Sequence, residues 1–143
     1  MSQYKTIETS FKTAESLIKA LLDCGFTTEQ IEVARDVKQP DLRLKAWGGA
    51  GFHSQVCSIA IRREKTGGYE DTGFYWNGSA FQAIISTHDG NHPGHRDFGA
   101  GTLKQVQQRY AVNEAKRIAK IKGYSVQEQA NPDGTVRLVC THR

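Results

Sequence analysis

Three of the five histidines in this chain, His88, His92 and His95, fall within one short segment together with Asp89 and Asp97. Imidazole and carboxylate groups this close in sequence can bind a divalent metal ion. Their spacing matches no structural zinc pattern, however, and a loop punctuated by glycine and proline does not fix the geometry of its ligands. We therefore treat the three histidines as weak metal candidates, and we expect no resident metal and no other cofactor.

A glycine-rich stretch precedes the second predicted helix and could receive an anion. Gly99 and Gly101 would let a phosphate approach the backbone, where the first turn of a helix presents N–H groups and a partial positive charge. Thr102 is the predicted N-cap of this helix, and Arg96 is near in sequence. No lysine follows as it does in a P-loop, so an ordinary connection between a loop and a helix remains the alternative.

A third candidate site combines Arg109 and Tyr110 in the second helix with Tyr75, Trp76 and Asn77 in an aromatic hairpin. An arginine on a largely apolar helix can bind a phosphate or a carboxylate through two hydrogen bonds. Aromatic side chains can stack on a nucleotide base. Together these residues would form a surface for a small anionic ligand or for a partner protein.

The same residues also have a purely structural interpretation, which we favour. Tyr110 would then belong to the core, and Arg109 would cap a sheet edge or pair with Glu70 or Asp71. The binding interpretation requires that Trp76 and Arg109 lie close together in space. Coordinates that place these two residues on opposite sides of the molecule would exclude it.

Two amphipathic helices must position these groups. Apolar residues at spacings of three and four predict a first helix over residues 11–23. Gly25 follows as a left-handed C-terminal cap, and Phe26 is placed to fold back on the last turn. A second apolar stripe predicts a helix over residues 103–122, which Gly123 ends.

Alternating and aromatic segments predict a mostly antiparallel sheet. Residues 42–86 are expected to form a meander, with hairpin turns at Gly67-Gly68 and Asn77-Gly78. Residues 88–101 are expected to be irregular, and the chain should end in a hairpin whose turn is Asn131–Gly134. The predicted strands cover residues 6–9, 31–34, 42–46, 56–62, 69–76, 81–86, 125–129 and 135–141.

The predicted fold class is α+β, in one domain over residues 1–143. The mostly antiparallel sheet would carry both amphipathic helices on one face. Each helix ends in a glycine followed by an aromatic residue and two strands, which suggests a βαββ-type internal duplication. The alternative is that such helix endings are simply common.

The distribution of charged residues indicates which class of partner the protein can bind. The net charge is +4, and the positive residues are dispersed except for Arg62-Arg63 in one strand and Arg117, Lys120 and Lys122 in one helix. Nucleic-acid binding normally requires a denser basic stripe, so a nucleic-acid partner is not favoured. A small anionic ligand needs fewer positive charges.

The three cysteines and the lack of long apolar runs bear on the compartment. No apolar stretch approaches about 18 residues, and the N-terminus lacks the apolar core of a signal peptide. We therefore predict a cytoplasmic protein without a membrane partner. Cys24, Cys57 and Cys140 form no C-x-x-C pair, and we expect all three to be small buried hydrophobic residues rather than disulfide partners.

Several segments resemble a known family in their order along the chain. They are Thr6–Thr9, Ala20–Phe26, Tyr69–Gly78, Gln108–Ala111, Ala119–Gln129 and Asp133–Val139. In these segments the chain resembles the hypothetical chloroplast reading frame 35 family, also catalogued as domain of unknown function 1257. The resemblance implies an accessory protein of plastids, cyanobacteria, other bacteria and phages, often encoded near an AAA-type ATPase. It implies no known reaction, and residues 48–51 and 88–101 depart from the family pattern.

We expect a non-enzymatic accessory module that docks on a protein partner, and the resemblance suggests an ATPase. The alternative is a small-ligand binder that sequesters a nucleotide-derived signal, as a phage-type sponge would. A weaker alternative is a nucleic-acid-binding module. Docking predicts an exposed apolar patch without a deep pocket, whereas ligand binding predicts a concave site, often at the subunit interface of a homo-oligomer. No Ser-His-Asp order or carboxylate pair supports catalysis.

Overall fold

The computed structural model of the chain describes residues 4–45, 55–68, 70–86, 90–92 and 95–142. The helices are α1 (Ala14–Asp23), α2 (Arg63–Thr66) and α3 (Ala100–Ile121). The strands are β1 (Tyr4–Ile7), β2 (Ile31–Val33), β3 (Leu42–Arg43), β4 (Val56–Cys57), β5 (Ile59–Ile61), β6 (Thr72–Trp76), β7 (Phe81–Ser86), β8 (Gly90–His92), β9 (His95–Asp97), β10 (Tyr124–Ala130) and β11 (Val136–His142). All strand pairs within these described ranges are antiparallel, which confirms the α+β class with a mostly antiparallel sheet.

A five-stranded sheet lies at the centre of the fold, with its strands in the order β1-β7-β6-β5-β2. Strands β5, β6 and β7 follow one another as a meander, as predicted. Strand β1 forms one edge by pairing with β7, and β2 forms the other edge by pairing with β5. Because side chains alternate along a strand, every second residue of this sheet shares a face.

One face of the sheet carries the main core and is covered by α1 and α3. Its buried side chains are Leu17, Ala20 and Leu21 from α1, Leu103, Val106 and Tyr110 from α3, Ile59, Ile61, Phe74, Phe81, Ala83 and Ile85 from the strands, and Phe11, Phe26 and Phe98 from the connections. The ring of Phe11 lies 4.7 Å from that of Tyr110 and 6.1 Å from that of Phe74. The prediction that both helices pack on one face is confirmed.

The opposite face is covered in part by a two-stranded ribbon of β3 and β4. Leu44 and Cys57 are fully buried there and pack with Ala60 and Ile84 of the sheet. The prediction of one meander over residues 42–86 is therefore wrong for its first part, because the ribbon packs across the sheet instead of extending it.

Ser58 divides the strand that was predicted over residues 56–62. Its N–H donates to the carbonyl of Phe74 at 2.7 Å, and its carbonyl accepts from the N–H of Ala34 at 2.8 Å. On one side of Ser58, β4 pairs with β3, and on the other side β5 pairs with β2 and β6. The chain passes from one sheet to another at this residue, and alternation of hydrophobic residues does not reveal such a transfer.

The first helix begins at Ala14 rather than at residue 11. The backbone N–H groups of Lys12 and Thr13 donate to the hydroxyl of Tyr110, at 2.8 and 3.1 Å. Phe11 is fully buried in the core. Tertiary contacts therefore hold these residues extended and delay the helix.

Both helix ends agree with the sequence. At the end of α1, Gly25 has a φ of 96° and donates to the carbonyl of Leu22, while the N–H of Phe26 donates to the carbonyl of Leu21. This pair of bonds is the Schellman arrangement, which satisfies carbonyls that the helix leaves unpaired. Gly123, with a φ of 87°, ends α3 in the same left-handed conformation.

The second long helix begins earlier than predicted. Gly99 is the N-cap of α3 and Ala100 its first residue, so the prediction of Thr102 as N-cap is wrong. Phe98 is buried just before the helix and stacks on Phe26 at 5.6 Å. This contact fixes the chain at the helix entrance, which places Thr102 within the first turn.

Two predicted two-residue turns have a different geometry. A single turn of helix, α2, occupies the connection at Gly67-Gly68, and Gly67 ends it with a φ of 79°. At Asn77-Gly78 the last facing pair of the strands is Trp76 and Phe81, but the N–H of Asn77 also donates to the carbonyl of Ala80 at 3.0 Å. The turn is therefore centred one residue later than predicted, on Gly78 and Ser79. The Asn77 side-chain oxygen accepts the N–H groups of the two residues before Phe81 and holds this turn.

The predicted C-terminal hairpin is confirmed. Strands β10 and β11 form a separate two-stranded sheet, which contacts α3 and contains no buried residue. In the proposed duplication, β2 and β3 would correspond to this hairpin, but they lie in two different sheets. The two units therefore share their helix endings and not their strand pairing.

Candidate functional site

The aromatic hairpin divides its side chains between the two faces of the sheet. Trp76 lies on the core side, where its ring centroid is 5.0 Å from that of Phe81. Tyr75 lies on the other side and packs against the cluster beneath the β3–β4 ribbon. Neighbouring residues of a strand point to opposite faces, so Tyr75 and Trp76 do not form one stacking platform. Asn77 uses its side chain to close the turn.

Arg109 is held by two carboxylates. Its guanidinium donates to both oxygens of Glu128, at 2.9 and 3.1 Å, and to Asp23 at 3.3 Å. The hydrogen bonds to Glu128 raise the pKa of Arg109 further above its usual range, although partial burial opposes them. These partners are not the predicted Glu70 and Asp71. A ligand that used Arg109 would have to displace one of these carboxylates.

Trp76 and Arg109 have different surroundings. Trp76 connects to Tyr110 through Phe81 and Phe11: the rings of Trp76 and Phe81 are in contact, Phe81 donates to the carbonyl of Phe11, and the rings of Phe11 and Tyr110 are in contact. Tyr110 is a core residue, in agreement with the structural interpretation. Arg109 instead meets the end of α1 and β10. Trp76 thus packs against the core, whereas Arg109 takes part in an ion-pair network.

The glycine-rich stretch lies where the sequence placed it, at the start of α3. Gly99 is buried at the N-cap, and Gly101 and Thr102 lie in the first turn. The backbone of Arg96 lies in β9, opposite Asn91, and its side chain is not among those described. Anion binding at this helix start stays a prediction.

The histidine-rich segment is described only in part. His88 lies outside the described residues, whereas His92 and His95 face each other as backbone partners in the β8–β9 ribbon. In the ranges that the structure describes, no group of three histidine, cysteine or acidic side chains is arranged to hold a metal ion. Metal binding by the three histidines stays a prediction.

A concavity between α1 and α3 brings together residues that the sequence analysis did not combine. Its volume is about 200 Å³. It is lined by Glu15, Ser16 and Lys19 from α1 and by Asn113, Lys116, Arg117 and Lys120 from α3. The positive charges of α3 were visible in the sequence, but Lys19 joins them only because the two helices pack against each other.

Carboxylates fix two of the four positive groups of this concavity. Lys116 pairs with Glu128 at 2.9 Å, and Arg117 pairs with Glu114 at 2.9 Å. The bond from Arg117 lowers the pKa of Glu114. Within the described part of the chain, Lys19 and Lys120 have no ion-pair partner. The concavity therefore offers two charges that are held in place and two that can meet a ligand.

A family model described as "Protein of unknown function (DUF1257)" matches residues 38–139 of the 143-residue chain. The chain belongs to this family. The matched region begins before β3 and ends within β11, so it contains α3 and leaves out α1. No match was found among curated proteins or among solved structures. The more specific resemblance to chloroplast reading frame 35 stays a prediction.

A second polar cluster in this DUF1257 protein has a structural role. The sequence did not predict this cluster either. Asp71 is 1% exposed and pairs with Arg62 at 2.7 Å. It also accepts the backbone N–H groups of Lys45 and Arg63, and Arg62 in turn pairs with Glu32 at 2.7 Å. Burial lowers the pKa of Arg62, but its bonds to the two carboxylates outweigh this and raise it. Arg62 also donates to the carbonyl of Arg43, so the cluster ties β2, β3 and α2 together.

The cysteines of the DUF1257 protein differ in exposure. Cys57 is buried, as predicted, and burial raises the pKa of its thiol to about 12, so it is neutral at ordinary pH. Cys24 is half-buried, whereas Cys140 is exposed on β11, so the prediction for Cys140 is wrong. The hairpin that carries Cys140 has only two strands and buries none of its side chains. No helix in the described ranges of the chain has the length and apolarity that crossing a membrane requires.

Proposed function

We propose that this DUF1257 protein is a non-enzymatic binding module that docks a partner protein by strand addition to its C-terminal hairpin. The observation that supports the proposal is the pairing of the hairpin. Strands β10 and β11 are each seven residues long, and among the described strands they pair only with each other. An outer edge of this kind offers a row of backbone donors and acceptors to an incoming strand.

The outward-facing backbone groups can be assigned from the turn. The N–H of Asn131 donates to the carbonyl of Thr135 at 2.9 Å, so these two residues form a hydrogen-bonded pair. Hydrogen-bonded and non-hydrogen-bonded pairs alternate along an antiparallel ladder. Ala130 on β10 and Cys140 on β11 therefore turn their N–H groups away from the other strand. Both side chains are exposed, so each edge is accessible at these positions.

Helix α3 holds the hairpin in a fixed position. Glu128 of β10 binds Arg109 and Lys116 of the helix, and the Gln108 side chain donates to the carbonyl of Gly134 in the turn at 2.9 Å. A strand edge that is already ordered costs less conformational entropy on binding than a flexible one. The strand edges of the hairpin are therefore already ordered before a partner binds.

The end of α3 supplies an apolar contact beside the hairpin. Ile118 and Ile121 are 44% and 73% exposed, and the chain enters β10 at Tyr124. Exposed apolar residues next to an unpaired strand are a common feature of protein interaction surfaces. We expect the partner to contribute an extended segment with alternating apolar residues, and an AAA-type ATPase is the partner that the family resemblance suggests.

The proposal is tested by measuring binding to a purified AAA-type ATPase. Proline removes a backbone N–H, and at an outward-facing position it leaves the ladder inside the hairpin intact. We expect either Ala130→Pro or Cys140→Pro to weaken binding by about tenfold or more, since a strand edge binds through several main-chain hydrogen bonds. The other proline variant should bind as the unsubstituted protein does, because a single partner strand uses one edge.

Serine variants serve as matched controls. Ala130→Ser and Cys140→Ser keep the N–H at each position and should bind the ATPase with unchanged affinity. A thermal melt of all four variants shows whether the hairpin and the core remain folded. Equal binding by both proline variants, or no binding of the unsubstituted protein to the ATPase, would contradict the proposal.

A further inference from the structure

We propose that the concavity between α1 and α3 is a binding site for a small phosphate- or carboxylate-bearing molecule that also carries a hydroxyl or amino group. The inference does not depend on strand addition to the hairpin, since the residues that would contact the ligand lie on α1 and α3. Four positively charged side chains, Lys19, Lys116, Arg117 and Lys120, line a space of about 200 Å³. An anion in this space would be close to charges from both helices.

The arrangement of the lysines favours an anion. Lys116 and Lys120 are one helical turn apart on α3, and like charges at this spacing repel each other. Lys19 lines the same concavity from α1, which adds a third ammonium group. Lys116 is neutralised by Glu128, but Lys19 and Lys120 have no ion-pair partner among the described residues. The charges of Lys19 and Lys120 are therefore not balanced by an ion pair, and a bound anion could accept hydrogen bonds from both ammonium groups.

Asn113 provides an independent indication of a ligand. It lines the concavity and is 4% exposed. Its side-chain nitrogen donates to Asp23 at 3.1 Å, which leaves the side-chain oxygen as an acceptor. That oxygen is buried and has no hydrogen-bond partner among the described residues. Buried polar atoms normally have a hydrogen-bond partner, so a donor group of a ligand would satisfy the side-chain oxygen of Asn113.

The volume limits the size of the ligand. A space of about 200 Å³ is smaller than the roughly 300–1,000 Å³ of pockets that hold drug-sized ligands. It therefore suits a phosphate or carboxylate group with a few further carbon or oxygen atoms. The base of a nucleotide would have to lie outside the concavity. The chemistry therefore favours a small hydroxylated phosphomonoester or a comparable hydroxy acid.

Lys116 and Arg117 have a positioning role in this proposal. Glu128 holds Lys116 and Glu114 holds Arg117, so both cations stay at the wall of the concavity. Glu15 also lines the space, and its carboxylate disfavours a ligand of high negative charge that sits close to it. The ligand would consequently approach the side formed by Lys19 and Lys120, with its donor directed at Asn113.

The experiment titrates the full chain with inorganic phosphate, with glycerol phosphate and with lactate, and follows the melting temperature and the heat of binding. Sodium chloride at equal ionic strength separates specific binding from general screening of charge. We expect glycerol phosphate or lactate to raise the melting temperature, because a ligand that binds only the folded state stabilises it by mass action. Whichever of the two binds identifies the anion as a phosphate or a carboxylate. Glycerol phosphate should bind more tightly than inorganic phosphate, which has the charge without the carbon-borne hydroxyl groups.

Substitutions locate the site. Lys19→Ala and Lys120→Ala should each weaken binding by about tenfold, since each removes a charged hydrogen bond to the anion. Lys104→Ala, which removes an exposed lysine of α3 that does not line the concavity, should leave binding unchanged. Asn113→Ala should remove the advantage of glycerol phosphate over inorganic phosphate. Failure of every probe to bind, or equal effects of Lys104→Ala and Lys120→Ala, would overturn the proposal.

Discussion

Glu128 is the residue that fastens the C-terminal hairpin to the rest of the molecule. Its carboxylate accepts hydrogen bonds from Arg109 and from Lys116, both on α3. The bonds from Arg109, followed by the bond from Lys116, lower the pKa of Glu128 to about 2. The carboxylate is therefore stabilised in its charged form, and the attachment of the hairpin depends on that charge.

A pH dependence of stability follows from this lowered pKa. The contribution of Glu128 to stability is present above the ordinary glutamate pKa of about 4.3 and is lost as the pH falls from there towards 2. We expect the melting temperature of the unsubstituted protein to exceed that of Glu128→Gln at pH 6, and the difference to shrink steadily between about pH 4.5 and pH 2. Thermal melts followed by circular dichroism across this range measure the difference.

The matched control is Glu64→Gln, which neutralises an exposed carboxylate of α2. Its difference from the unsubstituted protein should be small at every pH, because Glu64 forms no ion pair with any residue that the structure describes. A pH-independent difference for Glu128→Gln would show that the charge of Glu128 does not stabilise the fold.

At the scale of elements, the β3–β4 ribbon depends on a glycine in the strand beneath it. A Cβ atom at Gly73 of β6 would lie 2.9 Å from one methyl carbon of Leu44 and 3.0 Å from the Cβ of Cys57. Both neighbours are fully buried, so neither can move freely into solvent. The close approach of ribbon and sheet therefore requires a residue without a side chain at this position.

We expect Gly73→Ala to destabilise the protein by about 1–3 kcal/mol, the usual cost of overfilling a packed core. Urea unfolding, followed by circular dichroism, measures the change in the free energy of unfolding. The double variant Gly73→Ala with Leu44→Val should recover part of the loss, because valine lacks the terminal methyl carbons that the new Cβ would meet. Unchanged stability of Gly73→Ala would mean that the ribbon does not lie tightly on the sheet.

The elements also show which local signals are reliable. Gly25 and Gly123 ended the helices as predicted, because a left-handed glycine at a helix end is a local property of the backbone. Thr102 failed as an N-cap because Phe98, buried by contacts with other elements, decides where α3 begins. The strand over residues 56–62 was divided for a similar reason: Ser58 bonds to two different strands, and such a choice depends on distant parts of the chain.

At the scale of the whole molecule, the hairpin and the core are separable. The described members of both hydrophobic clusters lie before residue 111, and no residue of β10 or β11 is buried. An isolated two-stranded hairpin is at best marginally stable in water, so this one depends on α3. The five-stranded sheet and its helices depend on the hairpin much less, because it contributes no residue to either hydrophobic cluster.

We therefore expect a chain that ends at Gly123 to fold cooperatively, with a melting temperature only a few degrees lower, since about 1 kcal/mol shifts the midpoint by roughly 2–8 °C. Circular dichroism and tryptophan fluorescence measure the transition. Deletion of residues 1–9 serves as the contrasting control. It removes β1 from the central sheet and should lower the melting temperature considerably more. Loss of cooperative melting in the chain ending at Gly123 would contradict the separation.

The sequence by itself determined the fold class, both long helices, their glycine ends, the β5–β7 meander and the C-terminal hairpin, because periodicity and turn chemistry act over a few neighbouring residues. It left Tyr110 either in the core or in a binding surface, and the structure places it in the core. Only the tertiary structure decided that Tyr75 and Trp76 face opposite ways, that Arg109 binds Asp23 and Glu128, and that Lys19 joins the lysines of α3. The physical reason is that a charge or a ring acquires its partners from residues far away in the chain, and these are fixed only when the helices pack on the sheet.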